Sequence, residues 1–186
     1  MVQVSALWLP VLVSAGLVFV ASSVVHMLLR YHDRDFQPVP DEEDVQTALR
    51  RFNLTPGDYM LPCPSGPADP QSQAFADKMR RGPVVLMTVL ENRPTPLGVN
   101  LALWFVYTVV VSVLAAYVAG LALPVGAGYR PVFRLVSTVA FAAYALALWQ
   151  DSIWHSRAWG TAVRSTLDGL IYALLTAGAF GWLWPR

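Results

Sequence analysis

The chain has 186 residues, is 55% hydrophobic and only 13% charged, and carries a formal net charge of +1 with a mean hydropathy of +0.46. Soluble domains carry about 25% charged residues, so this deficit argues for membrane spans over one large soluble core, and the near-neutral balance speaks against a nucleic-acid partner. A single cysteine, Cys63, excludes an intrachain disulfide framework and a cysteine-rich metal site.

The apolar residues fall into four long runs. The first covers residues 5–29, with Pro10 near its start, where a helix tolerates proline. No basic residue precedes it and its apolar part exceeds the length of a signal-peptide core, so it reads as a retained span. The second run covers residues 97–123, the third 131–152 and the fourth 161–184. A Gly/Pro-rich turn joins the second to the third, and a short polar link joins the third to the fourth, so these three are expected as antiparallel neighbours. The fold class expected is an all-α membrane protein of four transmembrane helices with a small α+β cytoplasmic cap between helices 1 and 2. Its divisions are residues 1–30 for the first helix, 31–96 for the cap and 97–186 for the three-helix region.

Within the cap, Pro40 and the acidic residues Asp41, Glu42, Glu43 and Asp44 open a helix in the manner that its dipole favours. Val45, Leu49 and Phe52 continue at helical spacing, and Asn53 is a stop. Thr55, Pro56, Gly57 and Asp58 read as a turn into extended Tyr59, Met60 and Leu61. A second short helix fits residues 72–81 and closes at Gly82, and residues 84–90 have strand composition.

Basic residues set the orientation. Eight lie between the first two spans: Arg30, Arg34, Arg50, Arg51, Lys78, Arg80, Arg81 and Arg93. Arg157 and Arg164 lie on the same side, and Arg130, Arg134 and Arg186 on the other. The positive-inside rule then places residues 31–96 in the cytoplasm and both termini outside. On that side Cys63 stays reduced.

The polar residues within the spans are the candidates for chemistry. Charge near the bilayer centre costs at least about 2.5–3.5 kcal/mol per residue, so an ionisable group there needs a partner or a purpose. Counted along their helices, His26, Asp151 and Asp168 all fall near the cytoplasmic boundary of the hydrocarbon, with Arg30, Gln150, His155 and Arg164 close by. Ser22, His26 and Arg30 share a face at intervals of four, as do Ala143, Ala147, Asp151 and His155. Arg164 with Asp168, and His155 with Asp151, are expected as pairs within their own helices. One outcome of such a layer is a set of interfacial ion pairs. Another is a small pocket for a proton, an ion or a headgroup. His26, Asp151 and Asp168 have metal-ligating chemistry, and His26 could serve a haem, but no spacing motif supports either, so no metal or cofactor is assigned. No HExxH, GxSxG, P-loop, GxGxxG or CxxC motif is present, and no catalytic residue is assigned.

The fourth span carries small residues at every fourth position: Ser165, Gly169, Ala173, Ala177 and Gly181. The second has a shorter series, Ser112, Ala116 and Gly120. Such stripes let helices approach closely in lipid, within one bundle or between chains. Together with the missing catalytic motifs, they suggest a non-catalytic structural or accessory subunit whose partners are the bilayer and other membrane subunits or a second copy. The competing class is a small transporter, channel or membrane enzyme using the His26, Asp151 and Asp168 layer.

The phrases ASSVVHM at 21–27, NLTPGDYMLPCP at 53–64 and ALWQDSIWHSRAW at 147–159 resemble those of small, uncharacterised bacterial inner-membrane proteins. The resemblance spans most of the chain. It implies the four-span layout and a bacterial inner-membrane location, and it implies no activity.

Overall fold

The computed structural model describes every residue of the chain except Arg30 and Thr95. It is mostly helical, with four segments long and apolar enough to cross a membrane: Val4–Met27, Leu97–Ala122, Tyr129–Trp154 and Trp159–Leu183. Each has 24 to 26 residues, against the roughly 20 that a hydrocarbon core of about 30 Å demands. The chain divides into two compact units: 1–36 with 96–186, and 37–95. Residues 31–36, expected in the cap, thus belong with the spans.

In the first unit, a 3-10 turn at Val4–Leu7 leads into α1 (Trp8–Met27). In the second, α2 (Glu42–Arg50) begins with three acids in its first turn, and β1 (Gly57–Leu61) follows. Helix α3 (Gln73–Arg81) starts where the Ser72 hydroxyl accepts from the Phe75 amide, and it ends at Gly82, whose φ of 57° suits a residue without a Cβ. β2 (Val85–Val89) pairs antiparallel with β1, Tyr59 standing opposite Met87. Asn53, expected as a helix stop, takes a left-handed φ of 49° just beyond α2. The two short helices and the strand pair therefore sit where the caps and turn residues place them.

The chain then returns to the first unit with α4 (Leu97–Ala122), α5 (Tyr129–Tyr144), α6 (Trp149–Trp154) and α7 (Trp159–Leu183). α1 packs on α4 and α7, and α5 packs on α4 and α7, closing a ring of four. The most extensive contact is α5 on α7. One core cluster joins Leu7, Val11, Ala115, Val132, Ala177 and Phe180. A second joins Val18, Val111, Ala140, Tyr144, Tyr172 and Ala173. Two polar pairs bridge helices in this interior: the Ser14 hydroxyl bonds Ser112 at 3.0 Å, and Trp104 Nε1 donates to Ser22 at 2.7 Å. Val2 adds an extended turn of chain, its amide donating to the Gly120 carbonyl at 2.8 Å.

Both small-residue stripes are used inside this ring. A Cβ at Gly169 would stand 2.8 Å from Ala145 Cβ, and one at Gly181 would stand 2.6 Å from the Tyr129 ring. A Cβ at Gly120 would collide with the Val2 carbonyl. Ala173 and Ala177 are buried.

The third span is not one continuous helix, as the spacing of Ala143, Ala147, Asp151 and His155 supposed. α5 stops at Tyr144, Ala145 turns to φ −122°, and a 3-10 turn at Leu146–Leu148 leads into α6. The Tyr107 hydroxyl donates to the Ala143 carbonyl at 2.9 Å, satisfying an acceptor at the helix end. Past the break, the four-residue register no longer defines a shared face.

Candidate functional site

The turn after α1 brings two residues with no expected role to the start of α7. His32 and Asp35 are three apart, and the Asp35 amide donates to the His32 carbonyl at 2.9 Å. This compact turn aims both side chains at one neighbour. His32 Nδ1 lies 2.6 Å from Asp35 Oδ2, and Nε2 lies 2.7 Å from Asp168 Oδ2. A neutral imidazole has one N–H, so both contacts are donations only when the ring carries both protons. On the far side of Asp35, Oδ1 accepts from Arg164 Nε at 2.9 Å, from Arg164 Nη2, and from the Thr161 hydroxyl at 3.1 Å. The result is a continuous chain of Arg164, Asp35, His32 and Asp168.

Most of that chain is shielded from solvent. The side chains of His32, Asp35 and Asp168 are 15%, 8% and 5% exposed, so the Coulomb terms act at reduced dielectric. For Asp35, which lies outside the spans, burial pushes the carboxyl up. Hydrogen bonds from His32, Arg164 and Thr161 outweigh this and hold it down at about 2.

Asp168 Oδ1, the oxygen not facing His32, is buried and has no hydrogen-bond partner among the described residues. Asp168 is also one of the residues lining a cavity of about 560 Å³ where α1 ends and α4 and α7 begin. From α7 the walls are Ser165, Asp168, Gly169 and Tyr172, successive members of one helical face spanning about 10 Å of axis. Trp104, Tyr107 and Tyr144 supply aromatic walls, and Tyr172 Oη is a second buried polar atom without a partner. Gly169 lets the backbone of α7 approach Ala145 and so shapes the floor. His26 lies at the rim, its ring 4.6 Å from that of His32 and stacked on it.

Of the expected polar layer, the structure therefore unites His26 and Asp168, with His32 as the third member. Asp151 is elsewhere: it bonds His155 Nδ1 at 3.3 Å, the expected pair, and lies 3.8 Å from Arg157. These groups are exposed. The expected pair of Arg164 and Asp168 does not form, because Arg164 turns to Asp35 and Asp168 to His32. Arg30, expected on the face of Ser22 and His26, lies outside the described residues.

His26, His32 and Asp168 each present one ligand atom, and these atoms lie within 4.8 Å of one another. Two imidazoles and a carboxylate suit divalent first-row metals. His32 and Asp35 follow directly on a span that carries His26, and that nearness in sequence is what the sequence offers toward finding them. No family model, curated protein or solved structure matches the chain.

Proposed function

We propose that the chain is a multi-pass membrane protein that binds a small amphiphile in the cavity lined by Trp104, Tyr107, Tyr144, Asp168 and Tyr172. One observation carries the reading: a carboxylate with one buried, unpartnered oxygen lines a mostly apolar cavity of ligand size that includes four Trp and Tyr side chains. Leaving such an atom dry and unpaired costs free energy, and a donor on a ligand removes the cost. The chemistry that fits has an apolar or planar body and a head bearing a hydroxyl or an amine. Asp168 Oδ1 accepts from that head, and Tyr172 Oη donates to it or accepts from it. The excess of Lys and Arg between the first two spans supports an orientation with residues 31–96 on the cytoplasmic side and both termini outside.

The accessory-subunit reading rested on the missing catalytic motifs, the compact cap and the small-residue stripes. Both stripes face neighbours within the chain, so their support passes to the bundle itself.

Tryptophan quenching by a long-chain alcohol brominated on its chain tests the cavity. Titration of the purified protein in mild detergent is expected to give a saturable component that Trp104→Phe removes and Asp168→Asn weakens at least tenfold. Quenching that does not saturate, and that neither substitution changes, overturns the reading.

A further inference from the structure

We propose that His26, His32 and Asp168 form a site for one divalent first-row transition metal such as Zn²⁺, with Asp35 positioning His32. The proposal deepens the cavity reading, since Asp168 belongs to both. Its first support is donor chemistry. Two neutral imidazoles and one carboxylate bind borderline metals in preference to Mg²⁺ or Ca²⁺, which select oxygen. Three protein ligands also leave a coordination position for water or for a ligand head, as catalytic zinc sites do.

Geometry is the second support. His32 Nε2 and Asp168 Oδ2 stand 2.7 Å apart. Two donors at about 2.0–2.1 Å from one tetrahedral ion lie roughly 3.3 Å apart, so this pair needs to open by about 0.6 Å. The remaining separations, up to 4.8 Å, close by rotation of His26. That side chain is exposed, and turning it toward the ion gives up only its stack on the His32 ring.

The third support is the shell behind the ligands. Metal-bound histidines characteristically donate their other N–H to a carboxylate, which fixes the tautomer and raises ligand basicity. Asp35 Oδ2 takes this position 2.6 Å from His32 Nδ1, leaving Nε2 for the metal. Arg164 and Thr161 fix Asp35 in turn, so the orientation of His32 is held by three further side chains. On binding, the metal takes the place of the proton between Nε2 and Asp168, and that proton leaves to solvent.

The test is titration of the full-length protein, stripped with a chelator, with Co²⁺ followed by visible absorption and with Zn²⁺ by competition. Wild type is expected to bind one equivalent. His32→Gln and Asp168→Asn are expected to lose at least 100-fold in affinity, and Asp35→Asn about 10–100-fold with the stoichiometry kept. His26→Gln removes a ligand without removing any hydrogen bond of the Arg164, Asp35, His32 and Asp168 chain, so it keeps the test valid if the others misfold. It is also expected to weaken binding at least tenfold. Asp151→Asn and His155→Gln are expected to bind as wild type. Absence of a cobalt spectrum in wild type, or wild-type affinity in both His26→Gln and His32→Gln, overturns the proposal. Brominated-alcohol quenching in the same metal-free preparation separates the two readings. Saturable quenching without cobalt binding overturns the metal site alone, and cobalt binding without saturable quenching overturns the cavity reading alone.

Discussion

Asp35 ties the turn after α1 to the first turns of α7, and its chemistry sets a pH window. Its carboxyl sits at about 2 against an ordinary 3.8, because the bonds from His32, Arg164 and Thr161 exceed the cost of burial. A group held below its unfolded value stabilises the fold above that value, so the contribution is full above about pH 4 and is lost as pH falls toward 2. A shift of this size corresponds to about 2 kcal/mol. Asp35→Asn is therefore expected to lower the thermal midpoint at neutral pH, with the difference from wild type shrinking between pH 4 and pH 2. A difference that stays constant across that range would show that the carboxylate charge is not what Asp35 contributes. The residues of this network were unequally legible. His26 and Asp168 stand out because they interrupt apolar spans. His32 and Asp35 lie in a stretch already rich in charge, RYHDRD, where one more histidine or acid carries no signal. Spacing along a helix found Asp151 with His155, where both side chains are solvent-exposed and only a local partner competes. It failed for Arg164, whose partner comes from a turn more than a hundred residues away in sequence.

At the scale of the element, α7 is defined by what it lacks. The Gly169 backbone meets Ala145 and Tyr144 so closely that an added Cβ lies 2.8 Å from one side chain and 3.3 Å from backbone atoms. Backbone cannot move aside as a flexible side chain does, so Gly169→Ala is expected to cost about 1–3 kcal/mol. Gly178→Ala, on the same helix, meets nothing nearer than 4.0 Å and should leave the midpoint unchanged or slightly raised. Equal midpoints for the two variants in detergent melts would deny the close approach. The stripe was readable because helical period alone produces it. The break after Tyr144 was not, since the sequence YALAL holds neither proline nor glycine. Its cause is tertiary: α7 presses against Ala145, and the Tyr107 hydroxyl takes over the Ala143 carbonyl.

For the whole molecule, the two units differ in how they cohere. The spans enclose two core clusters, whereas among the described residues 37–95 only Phe75 is a buried hydrophobic. Phe52, Leu61 and Leu90 there are 70%, 51% and 70% exposed. A unit of this size needs a core, a staple or a partner to fold. Residues 37–95 expressed alone are expected to show an unfolded far-ultraviolet circular dichroism spectrum. A cooperative melt would mean that the strand pair and its helices suffice. The local structure of this unit was nonetheless legible, because Ser72, Gly82 and the acids before Val45 act through neighbours in sequence.

The inward face of α7 also bears on how the protein is made. Its mean hydropathy is 1.3, against 2.2 for each of the first two spans, because Thr161, Asp168, Gly169 and Thr176 occupy the side turned to its neighbours. Such a segment partitions weakly into lipid as a lone helix. The last hairpin should therefore leave the translocon as a unit, α7 entering beside α5, with Asp168 meeting His32 before it meets hydrocarbon. Order of synthesis favours this: every neighbour that α7 requires has already been made when its first residue emerges.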